Sequence, residues 1–149
     1  NKKEITQEVS DYLKIEEEKD LYSEEKLHHF ANLVKNHRRT LLELLNDLKK
    51  DGKKIVAISA PAKGNTLLNY CKINTEILDY VTERNPFKIG KFTPGMHIPV
   101  YSDAKLLEDQ PDYALILAWN FADEIIQNNS NYQENGGKFI IPTPRPRIV

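Results

Sequence analysis

Three polar loops carry the side chains best suited to chemistry, and each follows an apolar run of the kind that forms a buried strand. The first reads Ser59-Ala60-Pro61-Ala62-Lys63-Gly64-Asn65-Thr66 and leads into apolar residues at helical spacing. A strand–turn–helix of this kind offers unpaired N–H groups at the helix start. With Lys63 beside them, that is a feasible place for a phosphate-bearing or otherwise polar ligand. The loop holds the position of a dinucleotide fingerprint, but Ser59 and Pro61 stand where its first two glycines belong. Only Gly64 remains. Pro61 has no N–H, and its ring obstructs close approach of a pyrophosphate, so a standard dinucleotide site is not expected. The plainer reading is that Pro61 and Gly64 only shape a tight turn.

The second loop begins after Glu83, an acid near the place where nucleotide-binding folds read a ribose. One acid at a strand end is weak evidence, and a solvated carboxylate is the plainer reading. From Arg84 to Tyr101 the chain carries Arg84, Lys88, Lys91 and His97 and no acid. A local positive loop in a neutral protein suits a phosphorylated ligand, unless neighbouring acids balance it. His97 has the proton affinity for acid–base work, but no Ser, Cys or second His lies near it in sequence. In the third loop, Trp119-Asn120-Phe121, the indole and amide suit a planar or sugar ligand; Asn120 would equally serve as a helix cap. His28, His29 and His37 read as ordinary helix residues, and Cys71 as a buried packing residue.

These loops must be positioned by regular elements, and composition divides the chain near residue 52. All six Gly and all eight Pro lie at or after Gly52, while residues 1–54 hold 12 basic and 12 acidic side chains. Residues 1–52 are therefore expected to be helical. Ser23 is the expected cap of a long helix ending near Lys49 and Lys50, with a shorter one around Val9 to Ile15. Leu27, Val34, Leu41 and Leu48 recur every seven residues, with Phe30, His37 and Leu44 as a second row interrupted at His37. That stripe packs on the next domain or, alternatively, on another copy.

Residues 53–149 alternate between strand and helix patterns. Strands are expected at Lys54–Ser59, Ile77–Thr82, Tyr113–Ala118 and Lys138–Ile141, and helices at Asn65–Ile73, Ala104–Asp109 and Asn120–Asn129. The segment from Asn85 to Tyr101 reads as loop and the Pro142–Arg147 tail as extended. This alternation predicts an α/β fold: a Rossmann-like, mostly parallel sheet with helices on both faces, preceded by a long N-terminal helix. Ligands of such sheets bind beyond the carboxyl ends of the strands, where all these loops would open.

Composition sets the remaining bounds. With 149 residues and a formal charge of −1, the chain is one domain's worth and has no overall field for DNA or an anionic membrane. One Cys excludes a disulfide framework and a Cys-based zinc site. No apolar run approaches the roughly 20 residues of a membrane span, and no signal peptide is visible. A cytoplasmic globular domain is expected, cut from a longer chain.

The segment Ala60-Pro61-Ala62-Lys63-Gly64-Asn65-Thr66-Leu67-Leu68-Asn69-Tyr70 resembles the signature of the C-terminal domain of S-adenosylmethionine-dependent C-methyltransferases that act on sugar nucleotides. Arg84-Asn85-Pro86, Thr93-Pro94-Gly95-Met96-His97-Ile98-Pro99, Pro111-Asp112-Tyr113, Ala118-Trp119-Asn120-Phe121 and Gly137-Lys138-Phe139-Ile140-Ile141-Pro142 are similar to it in the same order. Ser59 departs from the Gly usual there, and Met96 from a smaller polar residue. The resemblance implies a three-part enzyme with a zinc module and a methyl-donor-binding domain upstream, neither of which is in this chain. This part would help bind the nucleotide-linked sugar and close the cleft, and would be inactive alone. Its expected ligand-facing residues are Lys63, Gly64, Asn65, Thr66, Arg84, Asn85, Lys91, His97, Trp119 and Asn120, with no catalytic or metal-binding residue. The expected partners are the sugar nucleotide and the upstream domain, with no nucleic acid or membrane. A free-standing nucleotide-binding domain and a helix-mediated interaction module are the competing readings.

Overall fold

A computed structural model describes residues 5–149. They fall into two compact units, one ending at Asn36 and one spanning His37–Val149. The first unit holds α1 (Gln7–Glu18) and the start of α2 (Glu24–Lys50). Ser23 Oγ accepts the Lys26 N–H at 3.3 Å, as its position before the two glutamates predicts, and the Tyr22 hydroxyl donates to Glu16 across the turn.

The second unit is a six-stranded sheet in the order β3-β2-β1-β4-β5-β6. Its strands are β1 (Ile55–Ile58), β2 (Val81–Glu83), β3 (Val100–Ser102), β4 (Tyr113–Ile116), β5 (Lys138–Ile141) and β6 (Arg147–Ile148). All pairings are parallel except the last, in which β6 runs antiparallel to β5. The helices are α3 (Ala62–Cys71), α4 (Ala104–Asp109), α5 (Ala122–Asn128) and α6 (Ser130–Glu134), with a 3₁₀ turn at Trp119–Phe121. The α/β class and the mostly parallel sheet are as the alternating sequence pattern predicts.

Both sheet faces are covered, which is why the inner strands are apolar on every residue rather than alternately. On one face Ile55, Ala57, Val81, Leu115 and Ile140 pack with Leu41 and Leu45 of α2 and Leu68 and Cys71 of α3. On the other, Val56, Ile58, Ala114, Ile116 and Phe139 pack with Leu106, Ala122 and Tyr132. His37, the break in the apolar rows of α2, is no idle helix residue: its Nε2 lies 2.6 Å from the Pro142 carbonyl oxygen and latches the segment after β5. Arg38 Nε donates to the Tyr70 carbonyl at the end of α3.

Some boundaries differ from the sequence expectation. Of the expected strand Ile77–Thr82, Ile77 and Leu78 are buried in a turn, and backbone bonding to β1 starts at Asp79 and Tyr80. Asn74 Oδ1 accepts the Glu76 N–H and the Asn74 carbonyl accepts those of Ile77 and Leu78, which folds the pair into a turn before β2. The expected loop from Asn85 to Tyr101 ends in β3, and the extended tail closes on the sheet as β6. The helix expected at Asn120–Asn129 is α5 entered through a 3₁₀ turn, and α6, which was not expected, starts afresh after Asn129, whose Nδ2 donates to the Ile125 carbonyl.

Candidate functional site

In this strand order the chain leaves β1 toward β2 on one side and reaches β4 on the other. The loops after β1 and β4 therefore diverge at the carboxyl edge, and a crevice opens between them. A cavity of about 350 Å³ lies there, lined by Ile58, Ser59, Glu83, Arg84, Ala118 and Phe121, with Asp103, Glu124, Ile125, Asn128 and Asn129 completing its wall.

Its floor is held by one carboxylate. Glu83 accepts the backbone N–H groups of Ala60 (3.0 Å), Arg84 (2.9 Å) and Asn85 (3.1 Å), and the Lys88 ammonium at 3.0 Å. Lys88 also donates to the Ala60 carbonyl at 2.9 Å. Burial pushes the Glu83 carboxyl up, but the Asn85 N–H, Lys88 and the Ala60 N–H outweigh it and leave the group below the usual glutamate range. This acid neither reads a ribose nor sits solvated. It ties the first loop to the second.

Ser59 takes φ +70°, with its N–H on the Thr82 carbonyl at 2.8 Å. A left-handed backbone between β1 and Pro61 is the physical reason a glycine suits this place. Two residues of packing follow from Gly64. A Cβ there would come within 2.7 Å of Leu117 Cβ and 3.2 Å of the Pro61 ring, so the glycine lets α3 press against the end of β4.

Lys63, on the first turn of α3, holds its ammonium 4.8 Å from the Trp119 ring centroid and 5.9 Å from that of Phe121. Phe121 also lines the cavity, so these three side chains join the first and third loops at its rim. Arg84 borders the same cavity, and its Nε donates to Asp103 at 2.8 Å.

The remaining residues singled out from sequence are placed differently. Asn85 shapes its own turn by accepting the Phe87 N–H, while Asn65 Nδ2 and Thr66 Oγ1 turn back to the carbonyls of Pro61 and Ala62. Asn120 is exposed on the 3₁₀ turn. Of the ten expected ligand-facing residues only Arg84 lines the cavity itself; Lys63 and Trp119 adjoin it through Phe121, and Lys91 and His97 lie elsewhere on the second loop. The Lys91 carbonyl accepts the N–H of Val100, the first residue of β3, so the second loop has already run back past the sheet edge. Beyond it, Asn69 Nδ2 donates to Pro94 and docks the hairpin on the later half of α3. Gly95 at φ +81° is required there, because a Cβ would overlap the Asn69 amide.

Sequence reasoning missed Asp103, Glu124, Asn128 and Asn129. Their one visible signal is position: Asp103 stands at the start of α4, Glu124 lies in the first turn of α5, and Asn128 and Asn129 close that helix. Among the described residues no three His, Cys, Asp or Glu side chains are grouped to hold a metal, and no helix is long and apolar enough to cross a membrane.

Fold and crevice together define an α/β domain of the kind that binds ligands at a switch point of its sheet. The chain belongs to the C-methyltransferase C-terminal domain family, which it matches over residues 1–144. It is 38% identical over 120 residues to the C-methyltransferase NovU of Streptomyces niveus, covering 80% of this chain. The matched region spans 29% of that relative, under a third of its length.

Proposed function

We propose that this chain is the substrate-side domain of an S-adenosylmethionine-dependent methyltransferase acting on a nucleotide-linked sugar. It helps bind the sugar nucleotide and closes the cleft. The observation that carries this reading is the rim formed by Lys63, Trp119 and Phe121 beside a crevice bordered by Arg84. Lys63 and Arg84 supply charge for a diphosphate, and Trp119 with Phe121 supplies an aromatic wall. The cavity itself is rich in oxygen acceptors, Ser59, Asp103, Glu124 and Asn128 among them. Such a lining suits sugar hydroxyls better than phosphate, so the diphosphate belongs at the rim and the sugar deeper. Bound sugar would be shielded from water on this side.

Two features at the first loop speak against a methyl-donor site there, and among the described residues no three His, Cys, Asp or Glu side chains are grouped to hold a metal. Pro61 occupies the turn where a backbone N–H would be needed, and Glu83 already accepts four donors, leaving no acceptor for a ribose. On this reading the methyl donor and the zinc ion are held by parts of the protein outside this chain, as is the base that deprotonates the sugar carbon. Titrating a panel of sugar nucleotides into the protein and following amide NMR shifts tests the reading. Shifts concentrated at residues 59–64, 84 and 119–121 are expected; a panel that moves none of them overturns it.

A further inference from the structure

Parallel pairing of β2 with β3 sets Glu83 opposite Ser102, so the residues that follow, Arg84 and Asp103, leave the sheet side by side at its carboxyl edge. Both line the crevice. Asp103 stands at the N-cap of α4, where an aspartate ordinarily accepts an N–H of the first helical turn. Here it makes no such bond. Its Oδ2 instead accepts the Arg84 Nε–H at 2.8 Å, with the Asp103 side chain 29% exposed and that of Arg84 66%. A guanidinium carries five N–H donors, and those on its two terminal nitrogens make no hydrogen bond among the described residues. The Arg84 main chain is pinned as well, since its N–H and that of Asn85 donate to Glu83. The result is a fork fixed at its base and open at its tips, on the wall of the crevice.

We propose that Asp103 is a positioning residue: it forgoes the helix cap to hold Arg84 by Nε, so that the two terminal NH₂ groups meet a phosphate of the ligand as a preset bidentate pair. This rests on the reading of the crevice as a sugar-nucleotide site and adds the geometry of its anion contact. Two effects of Asp103 oppose each other. Its charge repels phosphate, while its bond restrains a long side chain that would otherwise lose its rotamer freedom on binding. Had Asp103 taken a terminal NH₂, phosphate would have to displace it and repulsion would win. Because it takes Nε, nothing has to be displaced. The guanidinium charge lies beside the carboxylate, and solvent at this exposed pair screens what repulsion is left. Restraint then outweighs repulsion.

The test is a double-mutant cycle in the full-length protein, with Asp103→Ala, Arg84→Ala and the two combined. Dissociation constants are measured by calorimetry for TDP-glucose, UDP-glucose and inorganic pyrophosphate. Asp103→Ala should weaken binding about five-fold when Arg84 is present and change it by less than about two-fold when Arg84 is alanine, the coupling of two groups in one network. Asp103→Asn keeps an acceptor oxygen in place and should recover part of the loss. Unchanged or tighter binding by Asp103→Ala overturns the inference, and so does an equal loss in both backgrounds, which a general effect on α4 would give. Pyrophosphate separates this inference from the reading beneath it. If neither sugar nucleotide binds the unaltered protein but pyrophosphate shows the coupling, the substrate is wrong and the positioning role stands. If a sugar nucleotide binds without coupling, the substrate stands and the positioning role fails. Binding of none of the three overturns both.

Discussion

Glu83 and Lys88 face each other at 3.0 Å, and both reach Ala60, the carboxylate through its N–H and the ammonium through its C=O. This pair fastens the loop after β1 to the loop after β2 at the floor of the crevice. A crevice wall made of two loops is only as rigid as the bonds between them, and here those bonds are charge-assisted.

Glu83→Gln keeps the shape but replaces one acceptor oxygen with an NH₂ that faces donors. Hydrogen bonds to a charged group are worth roughly 1.5–3 kcal/mol each, and several are disturbed together, so a loss of about 2–3 kcal/mol is expected at pH 7. The folded carboxyl titrates below its ordinary 4.5. Its contribution is therefore complete above that value and is lost as pH falls through the depressed folded one. Urea melts of both proteins should show a gap that is constant from pH 7 to 6 and narrows in acid. A gap independent of pH would mean the carboxylate charge is not what holds the loops.

Ser59 keeps a left-handed backbone at the mouth of the crevice. For an L-residue that conformation costs about 1–2 kcal/mol, partly offset in glycine by greater freedom of the unfolded chain. Ser59→Gly should therefore stabilise the fold by about 0.5–1 kcal/mol, read as a higher thermal midpoint. Ser59→Val should lower it, since branching at Cβ worsens the same strain.

The strand–helix alternation was legible because the inner strands are buried on both faces and read as short apolar runs. It misled at Ile77 and Leu78, where burial and strand pairing part company: Asn74 draws these two into a bend, and bonding to β1 starts only at Asp79. β3 was hidden because Tyr101 and Ser102 are exposed at the sheet edge and leave no apolar run. At the site, Lys63, Arg84 and Trp119 were visible as charge or aromatic character directly after a strand. Glu83 read as a solvated carboxylate or a ribose-reading acid, because no local pattern shows that four donors will converge on it from residues 60–88. Lys91 and His97 looked like neighbours of the crevice. Only the pairing of Lys91 with Val100 reveals that a long loop has travelled away from the edge it left.

Tyr132 is fully buried, and its hydroxyl lies 2.9 Å from the Pro111 carbonyl oxygen and 3.3 Å from that of Lys138. Its ring occupies the space that a Cβ on Gly137 would need, which ties the turn before β5 to α6. Tyr132→Phe leaves the Pro111 carbonyl without this buried donor and should cost about 1–2 kcal/mol by chemical denaturation. Gly137→Ala should cost more, because the ring has to move. If the alanine variant is the milder of the two, the ring is not confined as described.

The sharpest division concerns the cations. Arg84 lines the crevice and Lys63 stands at its rim over Trp119 and Phe121, while Lys91 and His97 belong to the hairpin that leads into β3. Truncating a charged contact that is desolvated in a complex costs about 2 kcal/mol, roughly thirty-fold in affinity. Lys63→Ala in the full-length enzyme should raise the KM for sugar nucleotide by about that factor and leave methyl-donor binding unchanged. Arg84→Ala should act in the same direction with a smaller effect, since Arg84 is already paired with Asp103 and its side chain is 66% exposed. Lys91→Ala and His97→Ala should leave KM unchanged. Trp119→Leu adds a further check: it removes the ring under the Lys63 ammonium but not the charge, so it should weaken binding less than Lys63→Ala does. If Lys91 and His97 prove sensitive while Lys63 and Arg84 do not, the nucleotide lies along the hairpin docked on α3, and the crevice at the carboxyl edge is not its site.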